Sequence, residues 1–329
     1  MKLSDFDYAL PKELIAQYPL KERDAARLLV LDRNKGSLEH RIFRDIADYL
    51  EKDELLVLND TKVLPSRIIG RRLSGGKVEL LLLSRKEGFT FRTLIKPARI
   101  KVGEKILLNG NNICAQMSAR DEVTFSAPSV DAVYNIGKMP LPPYIKRPAQ
   151  DSDALDYQTV YAQKEGAVAS PTAGLHFTEG LLKELESKGV RIGYVTLHVG
   201  YGTFKPVKAE NIAEHKMEQE QFSIPQETAR LIEEDKAKKK RIFAVGTTSC
   251  RALETFAQGK ICGDTDLFIY PGYKFKMVDC LLTNFHLPRT TLFMLVCAFA
   301  GEKLIKKAYS EAIEKKYRFY SYGDAMLII

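Results

Sequence analysis

The sequence predicts an α/β protein with an inserted antiparallel β-barrel, and three observations lead to this prediction. First, short apolar strands alternate with helical patterns after residue 154, which is typical of a largely parallel sheet covered by helices. Second, the N-terminal stretch ELLVLND looks like another fully buried strand of that sheet. Third, six β-rich stretches without helical periodicity lie between residues 66 and 133, as in a small barrel or sandwich.

These observations divide the chain into a mixed, mostly parallel α/β domain (1–61 and 154–329) and an inserted barrel domain (62–153). The barrel stretches are SRIIGRR, KVELLLLS, FTFRTLIK, EKILLN, ICAQMSA and EVTFSA, separated by turns such as SGG, KEG and NGNN. The proline-rich stretch GKMPLPPYIKRP is predicted to lead back into the α/β domain.

Local patterns predict the remaining elements in order. PKELIAQ favours a short helix, RLLVLDRNKGSLEHRIF a hairpin, and FRDIADYLEK a helix. After the barrel, the predicted helices are DALDYQTVYAQ, TEGLLKELESKG, QETARLIEEDKAKKK, TSCRALETFAQG, TTLFMLVCAFAG and EKLIKKAYSEAIEKKY. The predicted strands are GAVAS, VRIGYVTLHVG, RIFAVG, TDLFIYPG and AMLII.

Composition indicates an ordinary soluble globular protein, with 329 residues of which 45% are hydrophobic and 28% charged. Neither a signal peptide nor a membrane span is expected, because the longest apolar stretch is about half of what a bilayer requires. The five scattered cysteines include no CxxC pair, and the five histidines show no HExxH spacing. We therefore expect a reducing cytoplasm and no structural metal.

The net charge of +8 favours a polyanionic partner such as nucleic acid, although many enzymes of acidic metabolites share this surplus. The densest basic run, KAKKKR at 236–241, either places cations at the carbonyl end of a helix or contacts phosphate.

Polar residues collect at five predicted strand ends, where parallel α/β sheets bind their ligands. They are Asn59, Asp60, Thr61 and Lys62; Ser170, Thr172 and His176; His198, Gly200 and Gly202; Thr247, Thr248, Ser249 and Arg251; and Asn284 and His286. Any single histidine could simply be a hydrogen-bonded structural residue. Similarly, AVGTTSCRALE could bind an anion at a helix start or could cap the helix through Thr248 or Ser249. Together, however, the groups predict a pocket for a polar or anionic ligand.

Several common sites are excluded by their missing motifs. GYGTFKP lacks the third glycine of a dinucleotide fingerprint, and Pro206 interrupts any following helix. The sequence contains neither GxxxxGK[ST] nor GxSxG, so a P-loop and a serine-hydrolase elbow lack support.

The same stretches resemble a known family, the S-adenosylmethionine:tRNA ribosyltransferase-isomerases. Its signatures are similar, in order and spacing, to VLNDTKVLPSRIIGRR, SPTAGLHFTEGLL, LHVGYGTFKPV, VGTTSCRALET, FIYPGY and LLTNFHLPRTTLFMLVCAFAG. The resemblance implies transfer of the ribosyl moiety of S-adenosylmethionine onto 7-aminomethyl-7-deazaguanine at the tRNA wobble position. Rearrangement of the sugar then gives epoxyqueuosine, and adenine and methionine are released. S-adenosylmethionine would be a consumed co-substrate without a further cofactor, and the family implies a cytoplasmic monomer.

The implied reaction needs a base beside the sulfonium, an acid for the departing adenine, and groups that stabilise oxyanions. We expect the acid and base among Asp60, His176, His198 and His286. The expected substrate-binding residues are Asn59, Thr172, Gly200, Gly202, Thr247, Thr248, Ser249, Arg251 and Asn284. The expected tRNA phosphate contacts are Arg67, Arg71, Arg72 and Lys77.

Two other functions compete with this one. A non-catalytic tRNA-binding protein would need basic and aromatic residues interleaved on an exposed surface, whereas the polar groups here sit at ends of apolar strands. An S-adenosylmethionine-dependent RNA methyltransferase would need a Gly-rich loop after its first strand, which this chain lacks.

Overall fold

The computed structural model describes residues 1–108, 113–200, 202 and 207–329. Its strands are β1 (Arg27–Asp32), β2 (Ser37–Ile42), β3 (Leu55–Asn59), β4 (Thr61–Val63), β5 (Arg67–Arg72), β6 (Lys77–Arg85), β7 (Thr90–Lys96), β8 (Lys105–Leu108), β9 (Cys114–Ala119), β10 (Glu122–Ser126), β11 (Lys164–Ala167), β12 (Arg191–Leu197), β13 (Glu220–Ser223), β14 (Ile242–Val245), β15 (Cys262–Thr265), β16 (Cys280–Asn284) and β17 (Ala325–Ile328). The α-helices are α1 (Val130–Asn135), α2 (Asp153–Asp156), α3 (Glu179–Ser187), α4 (Gln226–Lys238), α5 (Gly246–Phe256), α6 (Thr291–Ala300) and α7 (Glu302–Glu314).

A mixed nine-stranded sheet organises the larger part of the molecule, in the order β15-β13-β12-β3-β14-β16-β17-β1-β2. The four neighbours β12, β3, β14 and β16 are parallel, while β17 is antiparallel to β16 and parallel to β1. Consequently the carboxyl ends of four consecutive strands share one edge of the sheet. The predicted mixed, mostly parallel α/β fold is confirmed.

Strand β3 lies in the middle of the sheet and is buried along its whole length. Its side chains alternate between the two faces, as a strand requires. Leu55 and Val57 pack into one hydrophobic core, and Leu56 and Leu58 pack into the core on the other side. Both faces are therefore covered, which explains why ELLVLND reads as a continuous apolar run.

The inserted β-rich segment forms a closed six-stranded barrel in the order β10-β7-β6-β5-β8-β9. All neighbouring pairs are antiparallel, and apolar side chains such as Ile68, Leu80 and Phe91 fill the interior. Gly70 allows β5 and β8 to approach closely, because a β-carbon there would lie 2.8 Å from the Leu107 carbonyl oxygen. The predicted antiparallel barrel is confirmed.

Some local predictions are wrong. DALDYQTVYAQ is helical only at α2, because Tyr157 and Tyr161 leave the helix to pack against Tyr322 and Tyr194. The strand predicted for TDLFIYPG is instead β15, which ends at Thr265. PKELIAQ and FRDIADYLEK contain short 3₁₀ helices rather than α-helices.

Two predicted features lie outside the described residues: the NGNN turn at 109–112, and positions 201 and 203–206 of GYGTFKP. Within the described ranges, no helix is long and apolar enough to cross a membrane.

Candidate active site

A small cavity of about 50 Å³ opens at the sheet edge where the parallel strands end. The segments that follow β11, β14 and β16 supply much of its wall. The lining residues are Tyr144, Tyr157, Ala169, Ser170, Pro171, Thr172, Ala173, Val199, Gly246, Thr247, Thr248, Thr283, Asn284, His286, Leu292, Tyr320 and Ser321. Of these described residues, none is an aspartate, glutamate, lysine or arginine. The cavity is thus rich in hydroxyls and aromatic rings but contains no ion-pairing side chain.

Helix α5 begins at the cavity wall, directly after β14. Gly246 starts the helix with a φ of +85°, and no side chain caps its first turn. Instead of capping, the Thr248 hydroxyl accepts a hydrogen bond of 3.1 Å from Asn59 Nδ2. The capping alternative for this stretch is therefore wrong. The positive end of the helix dipole and its N–H groups face the cavity side, an arrangement that favours an anionic group.

His176 is linked to the cavity through Asn284. Asn284 Nδ2 lies 3.3 Å from His176 Nε2, and Asn284 Oδ1 accepts a 2.8 Å hydrogen bond from the Thr172 hydroxyl. His176 does not line the cavity; it borders a smaller one beside Arg23. Burial lowers the pKa of His176 to about 4, so the ring is neutral at neutral pH. A neutral ring accepts the Asn284 N–H bond and fixes which amide atom faces Thr172.

His286 lines the cavity and is held on two sides. Its Nε2 atom lies 2.7 Å from the Thr283 hydroxyl, and its backbone N–H donates to Tyr309 Oη at 3.0 Å. Burial lowers the pKa of His286 to about 3, which keeps this imidazole neutral as well.

A larger groove of about 550 Å³ lies between the barrel and the sheet. Arg85 and Arg92 of the barrel line one side, and Gly166 and His198 line the other. The groove and the cavity share Val199. Two compartments therefore meet at the loop that follows β12.

His198 lines the groove, and Asp60 lies close enough to interact with its charge, although Asp60 itself lines neither the groove nor the cavity. The Asp60 carboxylate accepts a 2.6 Å hydrogen bond from Thr196, and His198 Nδ1 lies 2.8 Å from the Thr61 hydroxyl. Burial raises the pKa of Asp60 and lowers the pKa of His198, and the charge of each group opposes the shift of the other. These opposite shifts move the two pKa values towards each other, which makes the pair a candidate for proton transfer.

A family model described as queuosine biosynthesis protein matches residues 3–328. The chain belongs to the queuosine biosynthesis protein family.

Two relatives named S-adenosylmethionine:tRNA ribosyltransferase-isomerase support this membership. The protein from Sulfurihydrogenibium sp. is 53% identical, and the one from Thermosipho melanesiensis is 50% identical, each over 100% of both chains. A crystal structure of an S-adenosylmethionine tRNA ribosyltransferase from Thermotoga maritima is 39% identical and gives a TM-score of 0.58. That match covers 99% of this chain and 100% of the other.

Not every residue predicted to bind substrate reaches the cavity of this queuosine biosynthesis family member. Arg251 is buried in an ion pair with Glu220, whose second oxygen accepts from the Gly200 N–H at 2.8 Å. Gly202 lies against Glu218 instead, and Ser249 is fully buried inside α5. None of these three residues lines the cavity.

The four basic residues predicted to contact tRNA fall into two pairs. Arg67 is paired with Glu79 and donates to the Leu141 carbonyl at 2.9 Å, while Arg72 forms two hydrogen bonds with Glu104. Arg71 and Lys77 are opposite each other on β5 and β6, and both are exposed. The second pair is the better candidate for phosphate contact.

Sequence reasoning missed several residues of the cavity wall, among them Tyr144, Tyr157, Tyr320 and Ser321. Tyr144 belongs to the stretch PLPPY, which the pattern indicated only as a linker. Tyr320 and Ser321 begin a YSY run between α7 and β17. The one available signal was the concentration of tyrosines in segments that form no regular element.

Proposed function

We propose that this protein is an S-adenosylmethionine:tRNA ribosyltransferase-isomerase of queuosine biosynthesis. It transfers the ribosyl moiety of S-adenosylmethionine onto 7-aminomethyl-7-deazaguanine in tRNA and isomerises it to give epoxyqueuosine. The observation that carries the proposal is the convergence of Thr172, Thr247, Asn284 and His286 on one cavity at the strand ends. The full-length relatives that bear this name support it.

In this proposal the cavity holds S-adenosylmethionine and the groove admits the tRNA base. The methionine carboxylate binds at the start of α5, where the helix dipole and the Thr247 and Thr248 hydroxyls favour an anion. The sugar then lies towards Val199, where the two compartments meet. S-adenosylmethionine is consumed, and we propose that no further cofactor takes part.

We assign the proton transfers to Asp60 and His198. His198 removes a proton from the carbon beside the sulfonium, and Asp60, whose pKa is raised by burial, donates a proton to the leaving group. We assign structural roles to His286 and His176, since both are buried and have strongly lowered pKa values that keep their rings neutral.

The tRNA contact is proposed for the inserted unit, residues 62–153, whose Arg71 and Lys77 are exposed next to each other. We also propose that the protein acts as a cytoplasmic monomer. The five cysteines, which are all free, are compatible with a reducing compartment.

The test is product analysis with S-adenosylmethionine and tRNA that carries the precursor base. Wild-type protein should release adenine and methionine in equal amounts, only when both substrates are present. Asp60→Asn and His198→Ala should each lower turnover by at least about tenfold, the size of a typical acid–base contribution. Formation of S-adenosylhomocysteine would identify a methyltransferase instead, and tRNA binding without either product would identify a binding protein.

A further inference from the structure

Three tyrosines form one wall of the cavity: Tyr144, Tyr157 and Tyr320, called the tyrosine wall below. The rings of Tyr144 and Tyr320 are in contact, with centroids 3.8 Å apart and planes at 68°. These residues come from three separate segments of the chain, so the fold brings the rings together at the ligand site and not through a local sequence pattern.

The wall is held in a fixed and costly arrangement. Tyr320 has a φ of +74°, a left-handed conformation that bulky side chains rarely adopt. Its backbone N–H donates to the Phe285 carbonyl at 3.0 Å, and the Gly323 N–H donates to the Tyr320 carbonyl at 2.8 Å. The Tyr144 hydroxyl is 2.5 Å from the Ser321 hydroxyl. A strained residue held at a cavity wall indicates a functional constraint on where its ring lies.

The tyrosines keep their protons and therefore their ordinary ring electronics. Burial raises the pKa of each of the three hydroxyls above its usual value. Neutral phenol rings present a negative ring face that attracts cations.

The substrate of the proposed reaction brings a cation into this cavity. Among the described residues of its lining, no carboxylate is present to pair with a sulfonium. A carboxylate there would also form an ion pair with the sulfonium and make the neighbouring carbon less acidic, which would hinder its deprotonation. Ring faces stabilise the positive charge without supplying a counterion.

We propose that the tyrosine wall, mainly Tyr144 and Tyr320, binds the sulfonium of S-adenosylmethionine through cation–π contacts. This inference rests on the proposed function, since it takes S-adenosylmethionine as the ligand of the cavity. It assigns substrate selection to the wall: the charged sulfonium is bound in preference to the neutral thioether of S-adenosylhomocysteine.

The experiment compares the affinities of these two ligands by calorimetry without tRNA, so that no turnover is involved. Wild-type protein should favour the sulfonium by about tenfold or more, the size expected of desolvated cation–π contacts. Tyr144→Phe should keep this preference because the ring remains. Tyr144→Leu should reduce it to within about threefold, chiefly by weakening the charged ligand. Tyr18→Leu, at a tyrosine that is 52% exposed, is the control and should keep the wild-type ratio.

A second variant with a ring of similar size keeps the test valid if the leucine variant does not fold. 4-Cyanophenylalanine at position 144 withdraws electrons from the ring and should also reduce the preference. Equal weakening of both ligands, or a preference that survives both changes, would overturn the inference. If the wild-type protein shows this ring-dependent preference but releases no adenine with tRNA, the tyrosine wall stands and the proposed function fails. If adenine is released while the preference is independent of the ring, the proposed function is supported and the role of the tyrosine wall is refuted.

Discussion

At the scale of single residues, the buried histidines act through their neighbours. His176 lies next to Asn284, which in turn contacts Thr172, so the imidazole sets the orientation of an amide that faces the cavity. Its pKa of about 4 makes it a poor proton donor at neutral pH. His176 is therefore a positioning residue in this account.

This role predicts different outcomes for two substitutions. His176→Gln keeps a neutral acceptor for the Asn284 N–H and should retain turnover within about threefold, whereas His176→Ala should lose at least about tenfold. The pH profile of kcat should keep its shape in the glutamine variant, because no titrating group is lost. A glutamine variant as inactive as the alanine variant, with one limb of the profile missing, would make His176 an acid or base.

The two depressed histidine pKa values also predict how stability depends on pH. In the unfolded chain both rings bind a proton below about pH 6.5, whereas the folded protein resists protonation down to about pH 4 for His176 and about pH 3 for His286. The stability they support is present above pH 6.5 and is lost as the pH falls. As the pH falls from about 6.5 towards the pKa of the folded protein, each histidine should lower the free energy of unfolding by up to about 1.4 kcal/mol per pH unit.

Urea denaturation of His286→Asn measures this effect. Between pH 6.5 and pH 4 its free energy of unfolding should fall less steeply than that of the wild type, by up to the contribution of one histidine. Parallel curves for the two proteins would show that His286 has the same pKa in the folded protein as in the unfolded chain.

The polar residues at strand ends were the part of the site that the sequence could predict. Thr247, Thr248, Asn284 and His286 reach the cavity because β14 and β16 are parallel and end at a common edge. Thr172 joins them from the segment after β11, which belongs to a separate two-stranded sheet. The sequence pattern could not show that Arg251, unlike these residues, points away from the cavity. Its partner Glu220 lies 31 residues away on β13. Long-range pairing of this kind leaves no local signal.

At the scale of elements, β11 controls the position of His198. Gly166 in this strand has a φ of +149°, and a β-carbon there would lie 2.8 Å from the His198 ring. Only a residue without a side chain lets the strand pass so close to the imidazole.

Gly166→Ala should therefore displace His198 from Thr61 and lower turnover by at least about tenfold. Gly259→Ala is a matched control, since Gly259 has a φ of +88° with nothing within 4 Å of its added β-carbon. The control should lose about 1 kcal/mol of stability and keep its turnover. Steady-state kinetics and thermal unfolding of both variants give the comparison, and equal activity in the two would remove His198 from the mechanism.

The central strands of the sheet were easier to predict than the segments that connect the two domains. β3, β14 and β16 are buried over their whole length and read as continuous apolar runs. By contrast, the segment after α2 contains Tyr157 and Tyr161, whose rings make contacts with distant residues that override any local helix preference.

At the scale of the whole molecule, we propose that the barrel contacts the tRNA and that the chemistry takes place at the edge of the sheet. If Arg71 and Lys77 contact tRNA phosphates, the double variant Arg71→Glu, Lys77→Glu should lower the slope of log Kd against log salt by about 1 to 2. Lys303→Glu, at an exposed position on α7, should leave the slope unchanged. Filter binding at several salt concentrations measures the slope, and equal slopes for all three proteins would place the tRNA elsewhere.

The most direct test of the account follows the ribose carbons of the substrate. S-adenosylmethionine with heavy carbon in its ribose should transfer that label to the tRNA nucleoside, which mass spectrometry of the digested tRNA detects. Label in the methyl group should stay with the released methionine. Methyl label in the tRNA, with none from the ribose, would contradict the account.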